Sequence, residues 1–234
     1  MPELVRPEFS VKDASLLLEE HYGLCCTLKE FPGERDRNFL AQEKKGETYV
    51  LKISNSCETL EFLQVQHAAL ERSSKLLEPG RIPIVFPAKN GESLLRVSSA
   101  DGSQHWMRLV RYVDGLPMAE YRPHTGEFLR ELGRMCGIVT KALHEIPAPP
   151  PSHTLLWEMH NVQETLHEYL PWIKDEKLLG WVKKSLDLYS RTIEALESKL
   201  RRGWIHNDFN DYNVLAVPKI SGNPDLGLID FGDM

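Results

Sequence analysis

Surplus positive charge is what this chain lacks first: 28 Lys and Arg stand against 34 Asp and Glu, a formal charge of −6. Nothing is left over to neutralise a phosphate backbone, so nucleic acid is excluded as the expected partner. Cysteine is scarce as well. Cys25, Cys26, Cys57 and Cys136 form neither a CxxC pair nor the spacing of a disulfide scaffold, and they are expected to be buried free thiols in a reducing compartment. No stretch approaches the roughly 18 uninterrupted apolar residues of a membrane span. The opening MPELVRPEFS has no apolar core of a signal peptide, and its prolines and glutamates do not suit an Arg-rich amphipathic presequence. The expected location is the cytoplasm, with no membrane partner. Internal repeats and low-complexity tracts are also missing.

What is present is enough apolar material, 41% of 234 residues, for a soluble fold of two lobes. Ser10 is a helix N-cap, and Gly23 ends that helix in a left-handed turn. Strands are expected over 25–31, 37–42 and 48–53, joined by Pro32-Gly33 and Lys45-Gly46 turns into an antiparallel meander. Apolar residues at helical spacing from Cys57 to Leu77 predict a helix packed on that sheet. Segments 93–98 and 105–112 flank Asp101-Gly102 as a hairpin. Beyond Val113-Asp114-Gly115-Leu116-Pro117 the pattern turns helical. Phe128, Leu132, Met135, Val139 and Leu143 make an amphipathic stripe, the proline run from Pro147 to Pro151 breaks it, and further helices are expected over 162–169 and 177–200.

The chemistry concentrates near the end of the chain. His206-Asn207-Asp208-Phe209-Asn210-Asp211-Tyr212-Asn213 holds an HxDxxxxN pattern, and Leu226 to Gly232 reads as a hydrophobic strand running into Asp230-Phe231-Gly232. Phosphoryl transfer asks a protein to place a carboxylate beside the attacking hydroxyl and to supply oxygen ligands for magnesium. Asp208 suits the first task, with His206 bracing the loop as the second catalytic candidate. Asn213 and Asp230 suit the metal, because hard cations prefer oxygen donors.

In these motifs the chain resembles the aminoglycoside phosphotransferase and choline kinase superfamily, small-molecule relatives of the protein kinases. HNDFNDYNVL and LIDFG match that family's catalytic loop and metal motif better than a protein kinase's HRD loop. The resemblance implies an α+β, two-lobed protein-kinase-like fold: a nucleotide-binding antiparallel β lobe with a helix over 1–112, a hinge over 113–117, and a mainly helical, partial catalytic lobe over 118–234. Tyr49-Val50-Leu51-Lys52-Ile53 looks like the strand bearing the nucleotide lysine, so Lys52 is expected to contact the α- and β-phosphates of ATP or GTP beside Mg²⁺. Arg111, Tyr112 and Val113 fall in the hinge-like segment that would read the base. Within the superfamily, LKIS, LQVQHAAL and LIDFGDM are most similar to the branch that phosphorylates 5-hydroxylysine with GTP in lysine breakdown. A hydroxyl on a small amino compound is therefore the expected acceptor.

Two departures from the family pattern stand out. The phosphate loop keeps a single glycine, Gly33, so Arg35, Arg37 or Asn38 is expected to help cover the phosphates. The helix glutamate that would pair with Lys52 aligns with Gln66, with Glu61 or Glu71 as substitutes. Family members continue beyond this metal motif, so a shortened form with impaired turnover that still binds nucleotide or a partner is a second reading. A metal-dependent phosphohydrolase using His206, Asp208, Asp211 and Asp230 is a third. Glu120, Tyr121 and Trp157 are read as packing residues.

Overall fold

The computed structural model describes residues 6–33, 35–44, 46–148, 158, 161–196, 199–219 and 224–234. Glu34, Lys45, Pro149 to Pro151 and Trp157 lie outside the described residues. Helix α1 spans Val11–Tyr22 and opens on a capping box: the Ser10 hydroxyl accepts from the Asp13 amide at 3.2 Å, and Asp13 accepts from the Ser10 amide at 2.8 Å. Gly23 closes it at φ 71°, a left-handed conformation that costs glycine little.

Strands β1 (Cys26–Phe31), β2 (Arg37–Glu43) and β3 (Thr48–Ile53) form the expected meander. β3 then pairs antiparallel with β6 (Gln104–Arg111), whose other edge takes both β4 (Val85–Phe86) and β5 (Leu95–Ser98). Alternation of side chains gives this sheet two unlike faces. Phe39, Leu51, Ile53, Met107 and Leu109 point to one side, where Ala14, Leu18 and Tyr22 of α1 close over them as a fully buried core. Asn38, Val50, Lys52, Arg108 and Val110 lie on the other.

Helix α2 (Leu60–Leu76) begins later than its apolar spacing suggests because Thr59 caps it, accepting from the Phe62 amide at 3.2 Å. It was expected to pack on the sheet. Instead α1 takes that role, and α2 leans on α3 (Gly126–Leu143). A second core joins Ala69 and Leu70 of α2 to Phe128, Met135, Val139 and Leu143 of α3, and to Trp204 and Phe231. Its remaining wall is a small antiparallel sheet of β7 (Leu116–Pro117), β8 (Val214–Val217) and β9 (Asp225–Leu228).

Helices α4 (Val162–Tyr169) and α5 (Glu176–Leu196) are joined by Gln163 Nε2, which donates to the Ser190 hydroxyl at 2.5 Å, while Trp172 between them and Trp181 and Leu188 of α5 are exposed by 77%, 57% and 67%. Among the described residues, no helix is long and apolar enough to cross a membrane. The four cysteines are free, but Cys25, Cys57 and Cys136 are exposed rather than buried. Two sit in loops and one on the outer side of α3, so no core claims them.

Candidate active site

The segment 205–213 has no regular structure, yet a set of local hydrogen bonds ties Asp208, Asn210 and Asn213 together. The Asp208 amide donates to the His206 carbonyl at 2.8 Å across Asn207, which takes φ 61°, a value asparagine tolerates better than most residues. Asn210 then organises the turn. Its Oδ1 accepts from the amides of Tyr212 at 2.8 Å and Asn213 at 3.0 Å, while its Nδ2 donates to Asp208 Oδ1 at 2.7 Å. Asn213 Nδ2 donates to the other oxygen of Asp208, Oδ2, at 2.7 Å and to the Asp208 carbonyl at 3.0 Å. Two amides thus hold the Asp208 carboxylate in one orientation.

His206 ties this loop to the next motif. Its Nε2 donates to the Ile229 carbonyl at 3.0 Å, and its ring meets Phe231 edge-on at 4.7 Å between centroids. Burial pushes its pKa down, so the ring is neutral at pH 7 with the proton on Nε2 and a buried Nδ1 that has no partner among the described residues. Asp230 itself sits at φ 59°, with Lys52 Nζ at 3.7 Å from Oδ1. That ammonium, helped by the Arg108 guanidinium, holds the Asp230 carboxyl below the ordinary carboxylate range.

Between the open face of the sheet and this loop lies a cleft of about 390 Å³. Val50, Val110 and Leu215 supply apolar walls, Lys52, Arg108, Asn213 and Asp230 line one polar stretch, and Phe31 and Tyr112 meet edge-on at 6.3 Å between ring centroids at the margin. The backbone amides of Arg111 and Tyr112 donate to the carbonyls of Ile84 at 2.8 Å and Thr48 at 3.0 Å. The amide of Val113, next along the chain, has no backbone partner among the described residues.

The cleft thus gathers Lys52, Gln66, Arg111, Tyr112, Val113, Asn213 and Asp230. Gly33 lies beside it, where a Cβ would come within 2.4 Å of Asn38 Nδ2, so the tight turn demands glycine. Arg35 is committed to an ion pair with Asp233 across the cleft mouth. Arg37 is not brought to the site. It pairs in register with Ile53 on the α1 side of the sheet, donates to the Phe9 carbonyl at 3.1 Å and pairs with Glu30 at 3.2 Å. The polar partner of Gln66 is Arg108, at 2.6 Å, rather than Lys52. Glu61 and Glu71 are exposed on α2, and Glu71 pairs with Lys75 at 2.6 Å, so neither substitutes. Tyr121 stacks on Phe128 at 5.2 Å and Glu120 is exposed, in keeping with packing and surface roles.

Arg108 is the cleft residue that the sequence reading passed over. Its signal lies in QHWMRLVR, where Arg108 shares the parity of Val110 and faces Lys52 across the ladder. The oxygen donors present fit magnesium. With Nδ2 turned to Asp208, the Asn213 amide leaves its Oδ1 for a cation, and the Asp230 carboxylate is ionised and accessible. No three His, Cys, Asp or Glu side chains converge among the described residues. Two protein oxygens suit a Mg²⁺ completed by phosphate and water better than an all-protein cage.

This fold and loop geometry define a phosphotransferase class, and the chain belongs to the phosphotransferase enzyme family APH, which matches residues 27–234. Among particular relatives, hydroxylysine kinase of Danio rerio is 24% identical over 247 residues, covering 98% of this chain and 66% of its own length. The chain therefore spans just under two thirds of that relative. The solved microcompartment-associated aminopropanol kinase superposes with a TM-score of 0.70 at 20% identity, over 96% of this chain and 70% of the other. Amicoumacin kinase in complex with AMP-PNP, Ca²⁺ and Ami gives 0.66 at 14% identity, over 96% and 64%. At these identities the structural likeness is one of fold.

Proposed function

We propose that the cleft binds a nucleoside triphosphate with Mg²⁺ and that the protein transfers the γ-phosphate to the hydroxyl of a small amino compound, 5-hydroxylysine being the first candidate. The observation that carries this reading is Asp208, oriented by Asn210 and Asn213, on the same loop that presents Asn213 toward Asp230 and Lys52. Such an arrangement sets a proton acceptor beside a place for phosphate charge. The relative named for hydroxylysine supports the choice of acceptor, and acidic residues around the loop suit an ammonium group.

In this scheme Lys52 neutralises the α- and β-phosphates, and the Val113 amide reads the edge of the base while Val50, Val110 and Leu215 hold its faces. Asn213 and Asp230 would hold the Mg²⁺, whose chemistry is to offset phosphate charge as the bond to the leaving diphosphate breaks. Asp208 orients the acceptor hydroxyl and takes its proton. His206 keeps the loop and Asp230 in register through Ile229 and Phe231, a positioning role. The choice between ATP and GTP rests on the hinge and is left to the assay. A hydrolase would need neither Lys52 in its strand nor an apolar base slot, which favours transfer over hydrolysis.

The test is nucleoside diphosphate release from ATP and from GTP, with and without 5-hydroxylysine. Release that depends on the amino acid is expected. Asp208→Asn should lower turnover by about 10²- to 10⁴-fold with nucleotide affinity nearly unchanged. Nucleotide hydrolysis indifferent to any acceptor would overturn the transferase reading.

A further inference from the structure

Arg108 is a buried cation with no ion pair among the described residues. It is 4% exposed, and among the described residues only Nη2 of its three guanidinium nitrogens has a partner, the neutral Oε1 of Gln66 at 2.6 Å; Nε and Nη1 are shielded and unpaired there. An arginine keeps its charge at any ordinary pH. Burying that charge beside a neutral amide, with two donors unsatisfied, is costly, so the site is built for something the protein alone does not supply. Asp36, Glu58 and Asp230 are near enough to favour the charged form, but none makes an ion pair with it among the described residues. Asp36 is occupied by Asn55, whose amide and Nδ2 donate to it at 3.0 and 3.2 Å.

Position says what the missing partner is. In register, Asn38 of β2 faces Lys52 of β3, and Lys52 faces Arg108 of β6. Cross-strand neighbours stand about 5 Å apart, so the three form one polar row across the open face of the sheet, with Asp230 opposite and Val50 and Val110 on the hinge side. We infer that Arg108 is a second cationic ligand of the nucleotide's phosphates, gripping a phosphate oxygen beside Lys52, while Gln66 of α2 aims its guanidinium. The inference rests on the nucleotide reading given above and adds to it a residue and a geometry: two adjacent strands each contribute one cation to the polyphosphate. Gln66 stands where an acid would otherwise be expected because a neutral acceptor orients the guanidinium without neutralising it, which leaves its charge for phosphate.

The test compares Arg108→Gln and Arg108→Lys with the unmodified chain, using calorimetric titration with Mg-ATP, Mg-GTP, adenosine and guanosine. Losing charge-assisted hydrogen bonds should weaken triphosphate binding in Arg108→Gln by about ten- to a hundredfold, with nucleoside affinity held within about twofold. Inorganic tripolyphosphate should raise the melting temperature of the unmodified chain and lose that effect in the variant. If Arg108→Gln does not fold, Arg108→Lys decides: a loss of about tenfold confined to triphosphates supports the inference. Equal losses for nucleoside and triphosphate would make Arg108 a purely structural residue, and unchanged triphosphate affinity would remove it from the site. If the unmodified chain binds none of these ligands, the nucleotide reading itself falls and this inference with it.

Discussion

The two faces of the β1–β6 sheet are built from the same strands and do opposite work. Phe39, Leu51, Met107 and Leu109 face α1 and are sealed from water, whereas their immediate neighbours Asn38, Lys52, Arg108 and Val110 face the cleft. One face holds stability, since each large apolar side chain removed from water contributes about 1.5–3 kcal/mol. The other carries charge and unsatisfied hydrogen-bonding groups that a core would not tolerate. The proposed function is thus laid down at a spacing of two residues on a scaffold that is stabilised from behind.

Adjacent residues allow the comparison to be broken deliberately. Leu51→Ala leaves a cavity beneath α1 and should cost about 2–5 kcal/mol, read from denaturant midpoints, with little change in nucleotide affinity of the folded fraction. Lys52→Met, one residue along, should change stability by less than about 1 kcal/mol while weakening triphosphate binding about ten- to a hundredfold. If the two variants behaved alike, the division of labour between the faces would be wrong.

Acid should sharpen the same contrast at α2. His67 is pushed down to about 4 by burial and by the Arg108 charge, and its Nε2 has no partner among the described residues. The unfolded chain takes up that proton near pH 6.5, whereas the folded chain resists it until about pH 4. The stability held by neutral His67 is therefore complete above pH 6.5 and lost as pH falls toward 4. His67→Leu should remove on the order of 1–3 kcal/mol of the acid-induced loss between those limits. Urea midpoints at pH 7, 5.5 and 4.5 check this, and identical slopes for both chains would refute it.

The smallest effect belongs to α5. Leu188→Ala, at a site exposed by 67%, should shift stability by no more than about 0.5 kcal/mol. A larger loss would mean that α5 is covered in solution.

Why some of this was legible in the sequence and some was not follows from the range of the forces. Caps, the meander and the Asp-Gly hairpin are written in neighbouring residues and stand where the pattern put them. The HxDxxxxN and Asp-Phe-Gly motifs were equally legible, because their geometry is local to one loop and one strand end. What an amphipathic helix packs against is a tertiary choice: the stripe of α3 is largely buried, and the described residues of α5 are half-buried or exposed. Alignment leaves Gln66, Glu61 and Glu71 as alternatives beside Lys52, and the partner of Gln66 comes from β6, 42 positions away. The side of the sheet that Arg37 takes is legible in the sequence. This residue shares the parity of Phe39 and Ala41, so period two alone sends it to the α1 side.

The central claim is that Lys52, Asp230 and the 205–213 loop form one site for a metal-bound triphosphate. The most direct test titrates the chain with ATP and GTP, each with and without Mg²⁺, alongside Asp230→Ala. Tighter binding of at least one triphosphate with Mg²⁺, by about tenfold or more, is expected, and that gain should vanish in Asp230→Ala. Affinity indifferent to Mg²⁺, or a gain that survives the loss of Asp230, would contradict the account.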